Sequence, residues 1–513
     1  MNEERIMKSP LRIIMSSIIA LIGGGILYYI TSLHGVGISP DSVSYLATAK
    51  NIAAGKGITD FNNAPLILFP AGYPLFLSLF IKLTSCDLLI MARFINAVLF
   101  SLLIILYGVI VDCFVQKNKA WLYKLIILIS LPISFSMLDI YSMLWSETLF
   151  VILIPIFILS IHRYLHFPTM INLLITAFVT AFSCDTRIAG ISIIGSGIAI
   201  IALQNKFPLK KKAIDISLYL FISSFFISIN ILRNNYLSGS LAGIRQKSGT
   251  SFFANLHLAG DTVLQWFQIP LIYEIGLFAG ILLMSFLFLV TIKKGIKKNT
   301  STIEFILIIF SLFYFGFIII SSTISKYEPI NNRLLSPAFI PCLLSLTLFI
   351  PQILNFIKWR QLRFVVIALI AVMIIIFEYR QINYCTTFID EIKDTGIPGY
   401  TETDWQESEI VKFLQDKRHL VTNGLDKKLP IYSNAADAVY FYSDLIARNL
   451  PETAHTTQLS NYCGSGNDYI IWFNNDFDYK AIVRLEEISL HRHLDTIKTF
   501  KDGFLLVSKP FLR

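Results

Sequence analysis

Charge is scarce in this chain. Only 15% of its 513 residues are charged, against roughly 25% in an average soluble domain, while 55% are apolar. That balance excludes a disordered polypeptide, which needs low hydrophobicity and high charge, and it does not fit an ordinary cytosolic enzyme. Acidic residues are rarest where the chain is longest. Residues 1–380 carry 29 basic and 15 acidic residues, a net charge of +14, whereas residues 381–513 carry 14 and 19, a net charge of −5. Cysteine is sparse as well, at six, with no His/Cys spacing of the kind that binds zinc. Neither a Gly-x-Gly-x-x-Gly run nor a Walker loop occurs, so nothing points to a soluble nucleotide cofactor. No internal repeat is present, which counts against a transporter built from two similar halves.

Long apolar runs are what the chain has instead. Ile13 to Leu33 are 21 consecutive uncharged positions, enough for a helix to cross a hydrocarbon core of roughly 30 Å. Arg5, Lys8 and Arg12 precede the run, which is longer than a cleavable leader and lacks a small-residue cleavage site. Further apolar stretches fall near 89–114, 121–138, 147–162, 169–185, 189–204, 213–233, 271–292, 303–325, 335–356 and 364–379. The expectation is an α-helical polytopic membrane protein with about eleven transmembrane helices in a bacterial inner (plasma) membrane. The pair 169–185 and 189–204 is separated only by Asp185 and Arg187. Eleven crossings place Lys117, Lys119, Lys124, Arg163, Lys206, Lys210 to Lys212, Lys293, Lys294, Lys297, Lys298, Lys358, Arg360 and Arg363 in short cytoplasmic loops. This is the positive-inside pattern. The N-terminus is then cytoplasmic and the acidic tail extracytoplasmic. The positive charge reads as a topology signal and a lipid-headgroup contact, with membrane lipids and not nucleic acid as its partner.

The connections are unequal. Residues 1–380 read as a transmembrane module with a large first outer loop, 34–88, and a second, 234–270. Within the first, Asp41 to Ala54 has helical spacing, Ser39 or Asp41 can cap it, and Gly55 and Gly57 end it. Pro70 and Pro74 bracket a second helix start, and both helices are expected at the membrane surface. The second loop holds Gly239, Gly243 and Gly249 with Arg245 and Lys247 and reads as flexible and basic. Residues 381–513 read as a small α/β domain. Helices are expected at Glu407 to Lys417 and Ala435 to Tyr442, and strands at Leu429 to Ser433, Tyr469 to Phe473 and Phe504 to Ser508. Cys385 and Cys463 both fall in this tail, where a disulfide between them is one reading and free thiols the other.

With 15 acids in 380 residues, each position is informative. Asp41 stands eight residues after the first span, in Ser39-Pro40-Asp41-Ser42-Val43-Ser44-Tyr45, followed by Pro70-Ala71-Gly72-Tyr73-Pro74. Ser146-Glu147-Thr148-Leu149-Phe150 opens the fourth apolar run. Asp185-Thr186-Arg187 with Gly190 lies farther on, then Leu232-Arg233-Asn234 with Gly239 and Arg245, Asn332-Arg333-Leu334-Leu335-Ser336-Pro337, and Pro430-Ile431-Tyr432-Ser433-Asn434. In this order the set resembles the integral-membrane glycosyltransferases of the GT-C superfamily. The likeness is to the branch of protein O-mannosyltransferases and aminoarabinose transferases, akin to glycosyltransferase family 39. One departure is Ser42, where many members carry a second acid.

The resemblance implies transfer of a sugar from a polyprenyl-phosphate donor to a hydroxyl of a glycan, lipid or protein acceptor outside the cytoplasm, with inversion at the sugar. The residue chemistry agrees. A carboxylate can take the acceptor proton, arginine forks hold a departing phosphate, and an apolar bundle can hold a polyprenyl tail. Asp41 is expected as the general base, and Glu147 as a second catalytic carboxylate or acceptor ligand. Arg187, Arg233, Arg245 and Arg333 are candidates for the phosphate, and Tyr73 for lining the site. A divalent cation is left open, with Asp41 and Glu147 as its ligands if there is one. The competing readings are a polytopic lipid or glycan transporter or flippase, and a non-catalytic envelope assembly protein.

Overall fold

The computed structural model describes residues 10–84, 86–114, 120–241, 243, 246–269, 273–297, 299–416, 429–453, 456–474 and 482–511. In chain order the helices are α1 (Pro10–His34), α2 (Pro40–Ala53), α3 (Gly72–Thr84), α4 (Leu88–Phe114), α5 (Ala120–Ile133), α6 (Phe135–Tyr141), α7 (Glu147–His166), α8 (Met170–Thr186), α9 (Ile191–Ala202), α10 (Leu209–Ser223) and α11 (Phe225–Ser238). They continue with α12 (Phe252–Trp266), α13 (Tyr273–Ile296), α14 (Ile303–Ile324), α15 (Asn332–Phe356), α16 (Arg360–Thr395), α17 (Thr403–Glu407), α18 (Glu409–Gln415), α19 (Ala436–Ser443), α20 (Thr456–Cys463) and α21 (Leu485–Ser489). The chain divides into two compact units. One comprises residues 1–33, 67–73 and 89–392, and the other residues 34–66, 74–88 and 393–513.

The first unit is a bundle of apolar helices, and among the described residues helix covers most of each of the eleven apolar runs. Among the described residues six helices are long and apolar enough to cross a membrane, or eight if each bent pair is one crossing. One bend, of 48°, separates α5 from α6. Pro132 supplies no N–H there, and the Ser134 hydroxyl turns back to the Leu131 carbonyl at 3.1 Å. The other, of 45°, lies between α10 and α11, where the Ser224 hydroxyl bonds the Leu220 carbonyl at 2.7 Å. The runs 169–185 and 189–204 form two helices, α8 and α9, joined by the 3₁₀ turn Ile188–Gly190. Gly190 permits that turn, because a Cβ there would lie 2.6 Å from the Cys184 nitrogen.

The second outer loop differs from the reading of a flexible segment, since α12 occupies much of it. Gly239 ends α11 at φ +67°, and the Ser251 hydroxyl accepts the Ala254 N–H at 3.2 Å to start α12. Gly260, Gly276 and Gly280 let α12 and α13 pack backbone against backbone. The reading from composition weighted the glycines and basic residues and missed this amphipathic turn of sequence.

The second unit joins the first-loop helices to the tail. Its sheet has the order β2-β1-β3-β5-β4, with β1 (Ile431–Ser433), β2 (Ala447–Asn449), β3 (Asp468–Phe473), β4 (Arg492–Phe500) and β5 (Gly503–Pro510). β1 is parallel to β2 and β3, and β5 is antiparallel to β3 and β4. Leu450, Tyr462, Ile470, Val483, Ile488 and Leu506 form a buried core beside the sheet. α16 runs through Arg380 to Thr395 without a break. All six cysteines are free thiols, Cys385 and Cys463 included.

Candidate functional site

In the first unit, three elements bring charged side chains to one point. Glu147 is the first residue of α7 and is fully buried. Such a carboxylate needs partners, because leaving one ionised and unpaired out of water costs several kcal/mol. Arg333, the second residue of α15, donates from Nε to Glu147 Oε1 at 2.7 Å. Arg187 pairs with the same oxygen, and the Ser146 hydroxyl donates to Oε2 at 3.2 Å. Arg187 reaches this point because α8 stops at Thr186 and residue 187 is extended. Asn331 caps α15 by accepting the Leu334 N–H at 3.2 Å, which presents Arg333 in the first turn. The Arg333 guanidinium also lies over the Trp145 ring, 4.2 Å from its centroid, and its second nitrogen faces Glu328 at 3.4 Å.

The neighbours of this cluster are fixed by a separate set of hydrogen bonds. Asn332 donates to Asp139 at 2.7 Å and accepts from the Trp266 indole at 2.9 Å. Gln381 donates to the Trp266 carbonyl at 2.7 Å and accepts from the Phe135 N–H at 3.1 Å. Tyr73 is fully buried, with Thr148, the residue after Glu147, as the polar neighbour of its hydroxyl. Gly72 beside it packs on the end of α8, where a Cβ would lie 2.6 Å from the Asp185 carbonyl oxygen. The glycine of the Pro-x-Gly-Tyr-Pro segment is thus a close-approach residue.

Arg233 sits near the end of α11. It donates to Asn234 at 3.3 Å, and Asn234 in turn donates to the Ile67 carbonyl at 3.1 Å. Arg245 lies outside the described residues. One arginine was missed in the sequence. Arg93, near the start of α4, has its Nε buried without a hydrogen-bond partner. Its only sequence signal is a positive charge inside an otherwise apolar run. A separate groove of about 360 Å³ is lined by Gln268, Tyr379, Arg380, Asn383, Tyr384 and Thr387, none of them a candidate above.

Asp41 lies in the second unit, in the first turn of α2. Ser39 caps that helix in a reciprocal box with Ser42, so Asp41 is not the cap. Two further acids stand near it. Asp60 accepts from the Ser44 hydroxyl at 3.1 Å and from the Phe61 N–H at 2.7 Å. Asp437, in the first turn of α19, accepts from the Tyr400 hydroxyl at 2.5 Å. Burial holds both carboxyls above the ordinary carboxylate range, and the charge of Asp41 pushes each the same way.

A divalent cation does not fit at Glu147. Two guanidiniums occupy one of its oxygens and a hydroxyl the other, and both positive charges would repel a metal. Among the described residues no group of three or more His, Cys, Asp or Glu is placed to hold a metal ion.

No protein-family model and no curated protein matches this sequence. Two solved structures of ArnT from Cupriavidus metallidurans do match its fold, one bound to undecaprenyl phosphate and one in the apo state. Both have a TM-score of 0.56 over 96% of this chain and 97% of theirs, at 11% and 12% identity. The chain therefore shares the fold of these ArnT structures: an α-helical polytopic membrane protein with a small C-terminal sheet region.

Proposed function

We propose that this protein is a membrane glycosyltransferase that moves a sugar from a polyprenyl-phosphate donor to a hydroxyl acceptor on the outer side of the membrane. The observation that carries the reading is the buried pairing of Arg187 and Arg333 on Glu147 at the head of α7. Two forks held side by side suit the phosphate of a lipid donor, and the ArnT structure of the same fold contains undecaprenyl phosphate.

In this reading Asp41 takes the proton of the acceptor hydroxyl. The acceptor oxygen attacks the anomeric carbon, and the bond from that carbon to the phosphate oxygen breaks. The electron pair leaves with the lipid phosphate, whose charge Arg187 and Arg333 stabilise, with Arg93 and Arg233 as further donors. Attack opposite the phosphate inverts the anomeric centre. Glu147 acts through the arginines by holding them in place. Tyr73 lines the donor side. The N-terminus is cytoplasmic, and both the first loop and the tail are extracytoplasmic.

The test compares lipid extracts and surface glycans of a deletion strain complemented by the native chain or by Asp41→Asn. The reading expects a sugar modification that the native chain restores and the variant does not. Full restoration by the variant overturns the role of Asp41. An unchanged glycan profile in the deletion strain, with altered lipid transport, would favour a transporter.

A further inference from the structure

The second unit contains an arrangement that the proposed chemistry does not use. Asp41 is three residues beyond Ile38, and the chain before it is gripped by a turn of the tail. The Tyr400 N–H donates to the Ile38 carbonyl at 2.7 Å, and the Thr401 hydroxyl reaches the Val36 carbonyl at 3.5 Å. Val36 and Ile38 are buried. Gly399 adopts φ +108°, and a Cβ there would collide with the Ile38 carbonyl oxygen. No other residue type fits both the backbone angle and the contact.

The turn is itself held from several sides. The Tyr400 hydroxyl bonds Asp437 at 2.5 Å, and its carbonyl accepts from the Tyr442 hydroxyl at 2.5 Å. Its ring packs edge-on against Trp405, with centroids 4.8 Å apart. Asp437 and Tyr442 belong to α19, which packs against α2. A rigid turn with a fixed backbone contact therefore sets where α2 begins.

We propose that Gly399 and Tyr400 form a positioning clasp that fixes the start of α2 and with it the place of Asp41. The tail then contributes to transfer by holding the base in register. This proposal rests on Asp41 as the base, since small displacements of a reacting group can cost about 100-fold in rate.

The experiment uses the full chain in detergent, with Gly399→Ala and the milder Tyr400→Phe. Transfer is measured over a dilution series of a total lipid extract from the source strain, and hydrogen exchange is followed at the amides of Val43 to Leu46. Gly399→Ala is expected to lower the saturated rate 10- to 100-fold, with half-saturation unchanged and faster exchange in α2. Exchange in β3 and β5 should stay as in the native chain. Tyr400→Phe should show the same pattern at a few-fold. Native rates and native α2 exchange in both variants overturn the clasp. So does loss of protection throughout the sheet in Tyr400→Phe, which would mark a general structural role. If Asp41→Asn transfers normally, the base reading fails by itself, and the exchange at α2 still decides the clasp.

Discussion

Two carboxylate sites, one in each unit, are handled in opposite ways. In the helical unit, Glu147 is fully buried and answered by two guanidiniums and a hydroxyl. In the other unit, Asp60 and Asp437 are answered by hydroxyls and a backbone N–H, and burial pushes both toward the protonated form. A carboxylate locked to two cations is a poor base, because its charge is already spent on holding them. The contrast fits the proposed division, with proton removal at Asp41 and anion handling by the arginines around Glu147.

The largest effect that could break this comparison is at Asp41. Replacing it by Asn should lower transfer by about 10²- to 10⁴-fold, the range of a general base, with the protein folded normally. Rates within a few-fold of native would remove the distinction between the units. Next is Glu147→Gln, which leaves Arg187 and Arg333 without their shared carboxylate. Breaking a buried pair by one partner costs about 3–5 kcal/mol, so a large drop in the thermal midpoint in detergent is expected, and Asp41→Asn should show no such drop.

A pH series sharpens the other side. Asp60 and Asp437 have native values raised above the ordinary 3.8. The native state therefore holds more protons than the unfolded one as pH rises above that value, and stability falls through this window. Asp437→Asn keeps an acceptor for Tyr400 and should flatten part of the fall, seen in midpoints from pH 4 to 7. The smallest effect is expected at Gly72→Ala, where a Cβ meets the Asp185 carbonyl. A loss of about 1–3 kcal/mol is expected for such overpacking, read from the same thermal midpoints.

Much of the bundle was legible in the sequence because lipid solvent demands apolar helices, and among the described residues helix covers most of each of the eleven runs. The break at Ser224 was not, since serine back-bonding leaves no mark in hydropathy. The tail strands β1, β3 and β5 stood out through their apolar runs. β4 did not, because Arg492, Asp495 and Lys498 interrupt its pattern, although Arg492 is fully buried against Asp468 at 2.6 Å. For the site, motif order marked Glu147, Arg187 and Arg333, which the fold brings together. It could not show that Glu147 is locked by those arginines, nor that Asp437, nearly 400 residues downstream, stands in the same unit as Asp41. Such pairings depend on long-range packing.

The division of labour between the units is tested most directly by the binding of undecaprenyl phosphate to purified Asp41→Asn and Arg333→Ala proteins beside the native chain. The account predicts native affinity in Asp41→Asn, which should be inactive in transfer, and affinity at least 10-fold weaker in Arg333→Ala. Equal affinity in all three, or weakened binding in Asp41→Asn alone, would contradict it.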